Sequence, residues 1–364
     1  MPPFDAVIAG AGIIGSSIAW RLAQRGLRVM LIDAGHMGGE ASSAGAGMLA
    51  PGGEIEEHSP WNDFALESLR LYSDFAAELE AESGKQVDFR RAGAVEVAVS
   101  EAEWEDLQAR GRTQAGLGIP SRPVSSEELG KLVPLLSTDV AGALFYPEDA
   151  LVDPRRVMRT LRLACQQRGV HIWEDNHVAK IRPRADSVTF FTSGGTIAAP
   201  LGVLAAGAWS SLVPIEGGSL PQAFPVRGHL IGFHLGAGSL DPMLRHGPTY
   251  LLQRSNGFTI AGTSSEPVGF DRTLNPKIVA DIHKRAADLM PDLRWLVPDE
   301  QWLGFRPAVE GNCPVIGRHS DTALWLAYGH YRNGILMAPA TAARIAAGVT
   351  ASSEKGSFGK SGTR

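Results

Sequence analysis

The chain opens with Phe4-Asp5-Ala6-Val7-Ile8-Ala9-Gly10-Ala11-Gly12-Ile13-Ile14-Gly15, and Asp33 stands at the end of a second apolar run, Val29–Ile32. The run Ala6–Ala9 predicts a buried parallel strand. Gly10, Gly12 and Gly15 form a G-x-G-x-x-G turn, and Ile14, Ile18 and Leu22 then recur at helical spacing, so one helix face can lie on a sheet. The glycines divide the work among them. Gly10 permits the tight turn, Gly12 lets the backbone approach a pyrophosphate, and Gly15 lets helix and strand pack closely. The helix N-terminus at Ile13 and Ile14 presents N–H groups and a positive dipole end to phosphates. Asp33, followed by Ala34, is placed to accept hydrogen bonds from a ribose diol. A tight turn that binds nothing would leave Asp33 unexplained, so the stretch reads as a dinucleotide grip.

Composition narrows the class. With 364 residues the chain can form two domains with well-buried cores. Its 44% hydrophobic and 20% charged residues are those of an ordinary globular protein. A net charge of −5 offers no basic footprint, which argues against nucleic acid as a partner. The 42 glycines suit a backbone that must approach a large cofactor at several points. Cys165 and Cys313 lie too far apart in sequence to read as a disulfide framework. No stretch is long and apolar enough to span a membrane. Because a strand begins almost at once, no signal peptide is read and a cytoplasmic location is expected.

After Asp33 the strand–helix alternation stops. A Gly/Ala/Ser-rich loop over residues 35–53 leads into a helix over 61–83, with Phe64, Leu69, Tyr72, Phe75 and Leu79 near one face. Residues 92–99 alternate like a strand, 101–114 read as a surface helix and 127–133 as another. Asp153-Pro154 is a cap followed by proline, starting a helix that Gly169 closes. Short strands follow at 170–173 and 178–181, and a hairpin over 187–199 turns at Ser193-Gly194-Gly195. Residues 203–209 read as a buried strand and 225–261 as successive strands. A helix over 276–290, a strand over 325–328 and a last helix over 341–349 precede a Gly/Ser/Lys-rich tail, expected to be disordered over 352–364. The expected fold class is α/β (α+β overall). A Rossmann-like cofactor domain (1–85, 145–220, 300–350) is interleaved with a mixed or antiparallel-sheet substrate domain (86–144, 221–299), ahead of a flexible tail at 351–364.

Two further segments carry a resemblance. Gly45-Ala46-Gly47-Met48-Leu49-Ala50-Pro51 and Gly329-His330-Tyr331-Arg332-Asn333-Gly334-Ile335-Leu336-Met337-Ala338-Pro339, together with the fingerprint, resemble the FAD-dependent D-amino-acid-oxidase superfamily, and within it the glycine oxidase family of the thiamine pathway. The likeness runs over residues 5–348. Its most specific part is G-H-x-R-N-G-I-L-x-A-P; the fingerprint alone does not separate FAD from NAD. The resemblance implies FAD held by Gly10, Gly12, Gly15 and Asp33. Ala41, Ser42 and Ala46, Gly47 and Met48 would line the path to the flavin ring. Val178 would offer backbone to the adenine, Ala206 and Gly207 would close over the cofactor, and His330, Tyr331, Arg332, Asn333, Gly334, Ile335 and Leu336 would run beside the isoalloxazine.

The same resemblance makes Arg306, in Trp302-Leu303-Gly304-Phe305-Arg306-Pro307, the partner of a substrate carboxylate, a role that suits a planar fork of donors. Tyr250 would hydrogen-bond that carboxylate, Met48 would form a pocket wall, and Arg332 would either frame the site or pack beneath the flavin. Two departures stand out: Gly262-Thr263-Ser264-Ser265 lacks the family's methionine, and Pro248 replaces a histidine two residues before the tyrosine. Both bear on side-chain size tolerance. Relatives of the sarcosine-oxidase type attach FAD through a cysteine near Phe305-Arg306-Pro307; none stands there, so non-covalent FAD is expected. The scattered histidines show no metal-ligand spacing. The implied partners are a small amino acid or amine and molecular oxygen, and the implied assembly is a homotetramer. Three alternatives remain open on sequence: a D-amino-acid dehydrogenase passing electrons to a quinone, a flavin-binding subunit of a larger complex, and an NAD-dependent dehydrogenase.

Overall fold

The computed structural model describes residues 4–137 and 139–358. The fold is α/β. A six-stranded sheet takes its strands from distant parts of the chain, in the order Val315–Arg318, Leu324–Tyr328, Leu201–Leu204, Ala6–Ala9, Val29–Ile32, His171–Trp173. Ala6–Ala9 lies at its centre, parallel to the strands on either side. Both faces of this sheet are covered, which is why the strand is continuously apolar. Ala6 and Ile8 pack toward the helices Ile13–Gln24, Pro60–Ser83 and Pro154–Gln167, while Val7 and Ala9 meet Ile181, Val188 and Phe190 of a small antiparallel sheet. The fingerprint glycines therefore sit where the central strand ends, the ordinary ligand position of such sheets.

An eight-stranded, mostly antiparallel sheet forms the second half of the molecule. Along the strand Thr249–Gln253 the side chains alternate: Leu251 packs with Ile282 and Ala286 of the helix Pro276–Leu289, and Tyr250 projects to the opposite face. That alternation turns one face of the sheet toward the fingerprint. The helix Pro154–Gln167 begins as expected, with Asp153 Oδ1 accepting from the N–H of Arg155 at 2.9 Å. No described helix is long and apolar enough to cross a membrane.

Several expectations need correction. The strand expected over 203–209 is Leu201–Leu204, and Gly207–Leu212 is a 3₁₀ helix that begins with Gly207 at φ +55°. The last helix starts at Gly334, not 341, and passes through Pro339. Pro339 is accommodated because buried Ser68 Oγ donates to Leu336 O at 2.7 Å and accepts from Ala340 N at 3.2 Å, bridging the turn around it. The same helix is drawn to Phe358, and residues 359–364 of the expected tail lie outside the described residues. The alternating stretch at 92–99 is the strand Ala94–Ala98, buried at all five positions because helices and the cavity cover its two faces. Finally, Glu300–Val309, expected with the cofactor domain, pairs along its whole length with Ala223–His234 in the eight-stranded sheet. Phe145 and Tyr146, expected with the cofactor domain, end the strand Gly142–Tyr146 of that sheet too.

Candidate active site

A cavity of about 800 Å³ lies between the two large sheets. Its walls include every expected cofactor and substrate residue except Gly15 and Leu336. Both exceptions serve packing. A Cβ on Gly15 would lie 1.9 Å from Gly10 O, so its absence lets the helix close on the strand, and Leu336 is buried in the core.

At the cofactor end the turn is tightly specified. Gly10 has φ +105°, and a Cβ there would strike Ala205 O at 2.3 Å. Gly12 is different: its φ is −69°, and the nearest atom to a Cβ is the side-chain Ser42 Oγ at 3.1 Å. Asp33 lines the cavity and also fixes the turn, accepting from Ala11 N at 2.6 Å and Gly35 N at 2.9 Å. Ser42 Oγ accepts from Ile13 N at 2.9 Å, so one helix N–H expected to face phosphate is held by protein. The loop that carries Met48 is clamped by Arg254, whose guanidinium donates to Ala46 O and Val152 O. Burial pulls that guanidinium down to about 10. These features fit an elongated dinucleotide: backbone bare of side chains at Gly12, an acid at the second strand, and a cavity continuous with the far sheet.

At the other end Tyr250 and Arg306 come together. Tyr250 is 7% exposed, and burial pushes its phenol up, so the hydroxyl stays protonated. Arg306 Nη2 donates to Thr263 Oγ1 at 2.7 Å and Nη1 to Ser264 O at 3.0 Å. Both acceptors are neutral, and among the described residues no carboxylate bonds this guanidinium. Burial pulls its pKa down, which is the signature of a cation lacking its counter-charge. The guanidinium lies on Gly228, where a Cβ would be 2.3 Å from Nη1. Gly228→Ala should therefore displace the fork and raise the KM for an amino-acid substrate about tenfold or more, a change on the scale of one charge-assisted hydrogen bond. Unchanged flavin content alongside it, read from the visible spectrum, would locate the damage at Arg306.

Arg332 lines the cavity but bonds Glu54, with Nε 3.0 Å from Oε1; Asn333 Nδ2 donates to Oε2 of the same acid at 2.9 Å. Sequence reasoning missed Glu54, Thr263, Ser264, Gly228 and Arg254. Thr263 and Ser264 were visible as a departure from the family motif, although not as acceptors for Arg306; Glu54 and Arg254 carry no spacing signal. His330 is buried with Nε2 3.0 Å from Thr341 Oγ1, and burial pushes the ring down to about 3. It folds neutral, whereas the unfolded ring protonates near its ordinary 6.5. The native state thus binds fewer protons, and stability present above that pH falls as pH drops toward 3, by up to about 1.4 kcal/mol per unit. Denaturant titrations from pH 7.5 to 4.5 should show a shallower fall for His330→Gln than for the parent; identical slopes would reject the assignment.

The cavity joins a dinucleotide-type glycine turn at one end to a half-buried arginine with no bonded carboxylate among the described residues at the other, the layout of a nucleotide-cofactor oxidoreductase. Comparison with known proteins agrees: residues 5–347 match the family DAO, FAD dependent oxidoreductase, and the chain belongs to it. Its cofactor is FAD, and it is an FAD-dependent amine oxidase. It is 32% identical to the glycine oxidase of Geobacillus kaustophilus over 346 residues, covering 94% of this chain and 92% of that one. Against the glycine oxidase of Bacillus subtilis the identity is 33% over 343 residues, with 94% and 92% covered. The bifunctional protein ThiO/ThiG of Synechocystis is 34% identical over 94% of this chain and 51% of its own length. The crystal structure of the Geobacillus kaustophilus glycine oxidase superposes with a TM-score of 0.88 at 32% identity, covering 94% of each chain.

Proposed function

We propose that this protein oxidises glycine, and with it sarcosine and small D-amino acids, to the imine, with oxygen as final acceptor and hydrogen peroxide as product. The observation that carries this reading is Arg306: a half-buried guanidinium with two neutral acceptors, facing a cavity whose far end carries the glycine turn and Asp33. Its fork takes the two oxygens of an α-carboxylate, and the protonated Tyr250 hydroxyl donates to one of them. Two anchors on one carboxylate fix the α-carbon, and orientation of this kind is worth up to about 7–11 kcal/mol of a barrier. FAD, when bound, supplies the hydride acceptor. The α-carbon gives up a hydride, the nitrogen a proton, and the imine is hydrolysed to glyoxylate and ammonia. The apolar wall formed by Met48, Leu230 and Ile335 keeps water from the reacting carbon. Arg332, tied to Glu54, shapes the wall and leaves carboxylate binding to Arg306. Neither cysteine lines the cavity, which supports non-covalent FAD. The resemblance to the thiamine-pathway oxidases supports a role in supplying the imine for thiazole formation.

The test is direct. Glycine, sarcosine, D-alanine and D-proline are added anaerobically to the purified flavoprotein while the visible band is followed. Bleaching by glycine, followed by peroxide on admitting air, is expected. If no amino acid bleaches the flavin, the substrate class is wrong; bleaching without peroxide points to a dehydrogenase.

A further inference from the structure

Arg285 lies on the helix Pro276–Leu289, behind the eight-stranded sheet and away from the cavity face. Its guanidinium nevertheless ends on two residues adjoining the site. Nη1 donates to Thr249 Oγ1 at 2.6 Å, and Nη2 donates to Thr263 O at 3.1 Å. Nε is held by Asp281 Oδ2 at 2.9 Å, one helical turn back, which fixes the fork's direction. The sheet register makes this reach possible. Tyr250 pairs with Gly262, so Thr249 and Thr263 emerge side by side at one edge of the strand pair. Strand alternation then puts Thr249 on the helix side and Tyr250 on the cavity side.

The consequence runs through Thr263. One arginine, Arg285, bonds its carbonyl; another, Arg306, donates to its hydroxyl, which itself donates to His229 O at 3.0 Å. Thr263 is thus held by its backbone from one side of the sheet and orients a guanidinium on the other. Thr249 is 2% exposed and directly precedes Tyr250, so the same fork fixes the second carboxylate anchor. We infer that Arg285 is a positioning residue for amino-acid recognition: it ties the two strand ends together and so sets the spacing between the Tyr250 hydroxyl and the Arg306 fork. It touches neither substrate nor cofactor. The inference rests on the proposal that Arg306 and Tyr250 bind a carboxylate.

The readout that separates positioning from bulk stability is carboxylate binding without turnover. Acetate is titrated into the FAD-loaded protein and the perturbation of the visible flavin band gives its Kd; flavin content and Tm are recorded beside it. Arg285→Met should weaken acetate binding about tenfold, on the scale of a lost charge-assisted contact, with flavin content unchanged. Arg285→Lys should recover part of the loss, and Thr249→Val, which removes one bond and keeps the side-chain shape, should reproduce part of it. In a Thr263→Val background, Arg285→Met should add less than it does alone, because both act on one array. Parent-like acetate affinity in both Arg285→Met and Thr249→Val overturns the inference and leaves the Arg306 reading intact. A parent protein whose spectrum ignores acetate overturns that reading and the inference together.

Discussion

Arg306→Ala should give a folded, yellow protein whose flavin glycine no longer bleaches at a useful rate. The expected loss in kcat/KM follows from what the side chain does. Removing one partner of a buried, hydrogen-bonded charge pair costs about 2–5 kcal/mol, or roughly 30- to 5000-fold. The upper part of that range applies here, since the same fork orients the α-carbon as well as holding the carboxylate. Folding should change far less. Thr263 Oγ1 and Ser264 O lose a donor, at about 1–3 kcal/mol each if left unpaired, but the protein also sheds a half-buried cation with no bonded carboxylate among the described residues. These terms oppose one another. Arg306→Lys keeps the charge and loses the second parallel bond, so it should fall between parent and alanine variant. Tyr250→Phe removes one neutral donor and should cost about tenfold. Anaerobic rapid-mixing of each flavoprotein with glycine measures all three. Bleaching of Arg306→Ala at the parent rate would remove the carboxylate assignment.

The cofactor end of this site was legible because its signals are local. Three glycines and an acid in one short stretch report a strand, a turn and a helix, and the structure places them at the end of the central strand. Local capping chemistry likewise fixed the start of the helix Pro154–Gln167 at Asp153. What could not be read was anything that depends on which distant strands lie side by side. Gly228 looks like an ordinary strand glycine until Arg306 is seen lying on it, across two strands brought together from distant parts of the chain. Thr263, Arg285 and Glu54 act through partners 43, 22 and 279 positions away, and no periodicity records such pairs. Pro339 shows the opposite case. Its local rule says that a helix should stop, and Ser68, from another helix, supplies the bonds that let it continue. Long-range partners override local propensity at those positions.

The three fingerprint glycines should part company under alanine substitution, and this contrast tests the cofactor grip most sharply. At Gly15 a Cβ would lie 1.9 Å from Gly10 O, backbone that cannot give way without moving the strand end. At Gly10 the same addition meets Ala205 O at 2.3 Å and also forces a residue with φ +105°. Both Gly15→Ala and Gly10→Ala should therefore destabilise the protein itself by several kcal/mol, on the scale of overpacking plus backbone strain, and should lower the Tm of flavin-free protein. Gly12→Ala should not. Its backbone is in a conformation open to any residue, and the nearest neighbour of the added methyl is Ser42 Oγ at 3.1 Å, a side-chain oxygen that need yield only a few tenths of an ångström and can keep the bond it accepts from Ile13 N. The methyl instead enters the cavity where the turn faces the dinucleotide. Displacing a pyrophosphate from backbone contact by one carbon sacrifices charge-assisted hydrogen bonds worth about 1.5–3 kcal/mol each, so FAD affinity should fall on the order of a hundredfold. Flavin-free Gly12→Ala should nonetheless melt within a few degrees of the parent. Thermal melts with and without added FAD, and fluorescence titration of the cofactor, read the two effects separately. If Gly12→Ala binds FAD as the parent does, the pyrophosphate does not lie against this turn. If it melts as low as Gly15→Ala, then Gly12 serves the fold and the division of labour among the three is wrong.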